Sequence, residues 1–109
     1  MRRGEIWWAD PGPPMGRRPV VLLSRDEAYK VRNQVTVAPV TTHIRYIPTE
    51  VELGPEDGLP KVCVVNLDVL ATIPKESLQQ RVSRLSPRKV RLVEAAIRFA
   101  LGMADPTSA

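Results

Sequence analysis

Aromatic residues are scarce in this 109-residue chain: two Trp, two Tyr and one Phe, 5% of the total. That argues against a sheet surface that stacks several bases on aromatic rings, the design of common single-strand RNA readers. A single cysteine, Cys63, gives no internal disulfide and no cysteine zinc cluster. A single histidine, His43, leaves a His-based metal site or a Ser-His-Asp triad little to build on. No apolar run approaches the ~20 residues a membrane helix needs. The opening segment lacks a secretory pattern, because Trp7-Trp8 is soon followed by the charged Asp10. These absences lead to the expectation of a cytoplasmic protein without a metal or cofactor.

What is present is ordinary in proportion and basic in sign. Hydrophobic residues make up 43% and charged residues 26%, as in soluble globular domains. At this length one domain is expected, burying roughly two-thirds of its unfolded surface. Lys and Arg number 16 against 12 Asp and Glu, a net charge of +4. A small domain of that sign attracts polyanions through its summed field.

Along the chain, Gly4 to Asp10 reads as a strand whose adjacent Trp7 and Trp8 point to opposite faces, one as a core anchor and one in an interface or groove. The stretch Pro11 to Gly16 is a loop by composition. Val20 to Leu23 is a short apolar run typical of a buried strand, and Asp26 to Tyr29 holds one helical turn. Val35 to Val40 is β-branched, and its Pro39 belongs at an edge, a bulge or the strand's end. Thr49 to Leu53 alternates, Val62 to Leu70 reads as one long β-rich run with Cys63 buried in it, and Arg81 to Leu85 gives a further short strand.

The period then changes. Ser86 is placed to cap a helix, with Pro87 in its first position and Leu85 and Val90 as a hydrophobic staple. Val90, Val93, Ile97 and Leu101 follow helical spacing, Glu94 and Arg98 are spaced as an ion pair, and Gly102 ends the helix. A second apolar set, Leu92, Ala96, Phe99 and Met103, widens the apolar arc beyond what one sheet covers, which points to a dimer partner. The expected unit is a single domain over residues 1–103 with a frayed tail at 104–109: mainly β, a small barrel or curled sheet with one terminal helix.

Three segments carry a family resemblance: Arg3-Gly4-Glu5-Ile6-Trp7, Gly16-Arg17-Arg18-Pro19-Val20-Val21-Leu22-Leu23-Ser24, and Val37-Ala38-Pro39-Val40-Thr41-Thr42. In order and spacing they resemble the MazF/PemK (Kid) toxins. Leu67-Asp68, Ala71-Thr72-Ile73 and the terminal Leu101-Gly102 extend the match over nearly the whole chain. The resemblance implies an SH3-like β-barrel of the MazF/PemK/CcdB type, homodimeric, with RNA lying across the dimer. It also implies a toxin of a type II toxin–antitoxin system. Such a toxin is a sequence-specific endoribonuclease (mRNA interferase) that cleaves single-stranded mRNA, tRNA or rRNA without metal. Attack by the ribose 2′-hydroxyl would leave 2′,3′-cyclic phosphate and 5′-hydroxyl ends.

Within that resemblance the family's essential arginine maps to Arg18 and its essential threonine to Thr41. The residue types suit the chemistry. In-line attack builds negative charge on the phosphoryl oxygens, and a guanidinium is a fixed fork of donors for them. Arginine is a poor proton carrier near neutral pH, so Arg18 reads as a charge stabiliser. Thr41 reads as a positioning hydroxyl. Gly16, Arg17, Thr42, His43 and Asp68 complete the candidate RNA-binding set. Asp68 or His43 could accept the 2′-hydroxyl proton, or each could serve only locally, as a turn cap or an exposed strand-end residue.

The chain departs from the family pattern twice. The loop before Arg18 is shorter, proline-rich and without an acidic residue, and Ala71 stands where an arginine is common. Two other classes compete with the nuclease. A gyrase poison shares the fold but relies on an aromatic near the end of its last helix, and here none follows Phe99. A degenerate barrel would keep only partner binding. The partner that the resemblance implies is an acidic, partly disordered antitoxin.

Overall fold

A computed structural model describes residues 1–104. Its elements are β1 (Glu5–Ala9), β2 (Arg18–Leu22), α1 (Ala28–Val31), β3 (Gln34–Thr41), β4 (Glu50–Leu53), β5 (Cys63–Asn66), β6 (Ala71–Pro74), β7 (Leu78–Arg84) and α2 (Pro87–Leu101), with short 3-10 turns at Pro55–Asp57 and Lys75–Ser77. All pairings are antiparallel, in the order β4-β5-β3-β2-β1-β7, with β6 also on β3.

The β-branched stretch at 35–40 becomes the longest strand, and it serves two partners along one edge. Gln34 to Val37 pair with β6, whereas Val40 and Thr41 pair with β5. Successive residues of a strand aim their backbone groups at alternate edges. The Thr36 carbonyl accepts from Leu23 N and its N–H donates to Ser24 Oγ, both on the β2 side. Pro39, three residues on, therefore turns its donorless nitrogen to the other edge, where β6 has ended and β5 begins. The proline thus lies inside the strand, at a gap in the ladder.

Strand alternation gives the curled sheet two apolar clusters. Ile6, Val21, Ala38, Val40, Leu53, Val65 and Leu67 form one with Val93 and Ala96 of α2. Ala9, Val20, Leu22, Val35, Val37, Ile73 and Tyr29 form the other, with Trp7 at its margin. Cys63 is buried in the first, and that burial pushes its thiol pKa up. Trp8 instead lies under the Arg17 guanidinium, 4.2 Å from its ring centre.

Three expectations change. The run from Val62 to Leu70 is not one strand: Asn66 Oδ1 accepts from Asp68 N at 2.9 Å, a side-chain turn that ends β5 at Asn66, and β6 starts only at Ala71, beyond the run. Glu94 bonds Arg3 Nη1 at 2.7 Å rather than Arg98. The SH3-like sheet is open, not a closed barrel, since its β4 and β7 ends do not pair. Side chains stitch that seam: the Ser83 hydroxyl donates to the Asp57 carbonyl, and Lys89 Nζ donates to Glu52 O at 2.6 Å and Asp57 Oδ2 at 3.1 Å.

The helix ends follow the sequence reading. Ser86 Oγ accepts from Lys89 N at 3.2 Å, Pro87 opens the helix, and Gly102 closes it at φ +68°. Val93 and Ala96 are buried, while Leu92, Phe99, Leu101 and Met103 stay exposed. The tail assigned to 104–109 lies outside the described residues beyond Ala104.

The seam's weak point is Gly58, at φ +86°, where an added Cβ would sit 2.6 Å from Ser83 Cβ. Gly58→Ala combines left-handed strain with a clash that no flexible side chain can relieve. We expect a loss of about 3 kcal/mol and a fall in Tm of ~10 °C or more by thermal denaturation. Gly12→Ala, at φ +90° in open space, should cost only about 1 kcal/mol.

Candidate functional site

The turn-rich loop ahead of β2 forms one wall of an open cavity of about 600 Å³. Gly12 and Gly16 both have positive φ, and Gly16 N donates to Gly12 O at 3.0 Å, folding the loop back on itself. Pro11, Pro13 and Pro14 face the cavity from this loop, and Pro39 and Ile73 line it from the sheet. The volume falls within the roughly 300–1,000 Å³ typical of ligand sites.

Six polar residues converge on this space: Arg18, Thr41, His43, Arg45, Asn66 and Thr72. Arg18 opens β2, and its Nε donates to the Met15 carbonyl at 2.9 Å. That bond fixes the guanidinium and leaves its terminal nitrogens for a ligand. Thr41 ends β3 two residues beyond Pro39, so the two share a face. Its Oγ1 accepts from His43 N at 3.1 Å, which leaves the hydroxyl proton to be donated elsewhere. Asn66, buried at the end of β5, uses Oδ1 on Asp68 N and keeps its amide donors for the cavity. Among the described residues no Asp or Glu lines the cavity. Cations and neutral donors without a carboxylate suit a phosphoryl group better than a divalent cation.

The candidate residues divide. Arg18, Thr41 and His43 line the cavity; Gly16, Arg17, Thr42 and Asp68 do not. Gly16 shapes the turn. Arg17 stacks on Trp8 and bonds Gln79 Oε1 at 3.1 Å. Thr42 is exposed. Asp68 Oδ2 accepts the hydroxyl of buried Thr49 at 2.5 Å. Sequence reasoning missed Arg45, Asn66 and Thr72 as site residues. Asn66 had a signal, as the one polar residue closing the apolar Cys63-Val64-Val65 run; Arg45 had only its closeness to Thr41.

Fold and site together define a small SH3-like β protein with a C-terminal helix and a cavity lined by arginines and neutral donors. Residues 2–101 match the family described as PemK-like, MazF-like toxin of type II toxin–antitoxin system. The probable endoribonuclease MazF5 of Mycobacterium tuberculosis is 40% identical over 100 residues, covering 91% of each chain. The solved Mycobacterium tuberculosis toxin MazF-mt6 superimposes with a TM-score of 0.86 at 31% identity, over 93% of this chain and 99% of that one. An endoribonuclease in complex with its cognate antitoxin, from a mycobacterial species, gives 0.85 at 29% identity, over 97% and 99%. The chain belongs to the PemK/MazF toxin family.

The division of residues is testable with a single-stranded DNA oligonucleotide as an inert polyanion. Arg18→Ala should weaken its binding about ten-fold by fluorescence anisotropy, the worth of one charge-assisted contact. Asp68→Asn should change it by less than about three-fold, because that carboxylate faces Thr49.

Proposed function

We propose that this chain is the toxin of a type II toxin–antitoxin pair, an endoribonuclease that cleaves single-stranded RNA without metal by 2′-hydroxyl attack. The observation that carries the reading is the meeting of Arg18 and Thr41 in one cavity lined by cations and neutral donors. The scissile phosphate lies against Arg18, whose free terminal nitrogens stabilise charge on the phosphoryl oxygens as the 2′-oxygen attacks phosphorus. The Thr41 hydroxyl donates to a phosphoryl oxygen and fixes the in-line geometry. The bond from phosphorus to the 5′-oxygen breaks and that oxygen takes a proton from solvent water, leaving a cyclic phosphate on one product and a 5′-hydroxyl on the other. His43 is the cavity residue suited to take the 2′-hydroxyl proton, since a neutral imidazole nitrogen accepts a proton and no carboxylate lines the cavity among the described residues.

The working unit in this reading is a cytoplasmic homodimer. Leu92, Phe99, Leu101 and Met103 leave an apolar face on α2, and a groove of about 410 Å³ runs between Leu92, Phe99 and Val51 of β4. Burying such a face against a second copy removes it from water. Two copies at +4 each carry about +8, a field that draws RNA and an acidic antitoxin to the same surface. The antitoxin then inhibits by occupying the groove that RNA needs.

The test is cleavage of a long unstructured RNA by the purified protein in EDTA, with Arg18→Ala alongside. Discrete cuts with cyclic-phosphate and 5′-hydroxyl ends are expected, with the rate reduced at least about 100-fold in the variant. A folded dimer that cuts no RNA would overturn the nuclease reading in favour of a binding-only toxin.

A further inference from the structure

Tyr46 is the one non-glycine residue among those described with a left-handed backbone, at φ +57°, and its side chain is 86% exposed. An aromatic residue gains nothing from that conformation, which glycine or asparagine adopts at far lower cost. The surrounding structure nonetheless holds it there. Glu50 Oε1 accepts from both Arg45 N at 2.9 Å and Tyr46 N at 3.2 Å, and Glu50 N donates to Ile47 O at 3.0 Å. The other carboxylate oxygen, Oε2, is buried with no hydrogen-bond partner. A strained peptide and an under-satisfied carboxylate are thus both spent on fixing a loop whose aromatic ring touches little of the protein.

The place of that ring supplies the reason. Arg45, held by the same carboxylate, lines the cavity, as does His43. Tyr46 stands one residue beyond that wall. The other aromatics are occupied or remote: Trp7 donates to Glu5, Trp8 carries Arg17, Tyr29 is buried and donates to Ser24 O, and Phe99 lies on α2. We propose that Tyr46 is a base-stacking residue: the base of a nucleotide flanking the scissile phosphate lies on its ring while Arg45 meets the adjoining backbone. This rests on the reading that the cavity cleaves RNA. One fixed ring suffices, because every base has a face to stack and a rigid platform loses little freedom on binding.

The test compares Tyr46→Ala, Tyr46→Phe and Tyr46→Gly on a short single-stranded RNA containing a mapped cut site. Tyr46→Ala and Tyr46→Gly should raise KM ~10-fold and leave kcat within about two-fold, and Tyr46→Phe should match the wild type. An abasic nucleotide at the stacked flanking position should weaken the wild type ~10-fold and leave Tyr46→Ala nearly unaffected. Tyr46→Gly should keep or raise Tm, since glycine relieves the backbone strain. An unchanged KM in Tyr46→Ala, equal losses on intact and abasic RNA, or a clear fall in Tm in Tyr46→Gly would each overturn the proposal. Anisotropy with an oligonucleotide carrying a 2′-deoxyribose at the cut keeps the stacking test independent of turnover. There, an unchanged Kd in Tyr46→Ala overturns stacking, whereas a wild type that binds RNA but never cuts it overturns the nuclease reading instead.

Discussion

Pro39 has no N–H to give, and the sheet is arranged around that gap. On one edge of β3 the ladder runs unbroken against β2, Val20 opposite Pro39. On the other edge β6 ends at Val37 and β5 begins at Val40. A central strand with a full set of donors would accept one continuous neighbour along its length. The missing donor falls where two shorter neighbours meet, so no ladder carbonyl is left facing the proline without a donor. Pro39, Thr41, Asn66 at the end of β5 and Ala71–Ile73 of β6 all border the cavity. The opening in the ladder and the opening on the surface therefore share an origin.

Hydrogen bonds made inside the protein decide which polar groups remain for a ligand. Arg18 gives Nε to Met15 O and keeps its terminal nitrogens; Thr41 accepts from His43 N and keeps its proton; Asn66 accepts from Asp68 N and keeps its amide donors. Each is oriented by a bond to a main-chain atom, and each is left with donors rather than acceptors. Donors fixed before the ligand arrives need no reorganisation when charge develops, which is where electrostatic catalysis gains most. Asp68, the nearest carboxylate in sequence, is turned to Thr49 and adds no lining group to the cavity.

Much of this was legible in the chain, and the boundary follows sequence distance. The caps of α2 depend on residues within one turn, so Ser86, Pro87 and Gly102 could be read directly. Apolar alternation located most strands. The reading faltered where a local polar bond competed with strand propensity, as at Asn66 and Asp68. It faltered again where a distant partner won: Arg3 takes Glu94 from 91 residues away, and Thr49 takes Asp68 from 19. Arg18, Thr41 and His43 were accessible because the first two stand at strand ends marked by family motifs and the third follows them. Arg45 was not, because periodicity does not say which loop residue bends back over a cavity, and Asn66 and Thr72 were passed over because a polar residue in a strand reads first as solvent-facing.

The same logic separates what holds the molecule together from what it exposes. The seam is closed by satisfied groups: Lys89 has partners on two elements, and Ser83 caps the Asp57 carbonyl. An unsatisfied and a strained group gather instead in the segment that follows Arg45 of the cavity wall, at Glu50 Oε2 and Tyr46. A fold selected for stability alone would place glycine at 46 and an apolar residue or a second partner at Glu50. Their retention beside a cluster of cations is the pattern expected where a surface is fixed in advance for a polyanion, with the ordering cost met on folding and not on binding. In the proposed reading two unlike ligands share it for the same reason: a surface preorganised by its own main chain selects for negative charge and an extended single strand, and an RNA and an acidic peptide both present these.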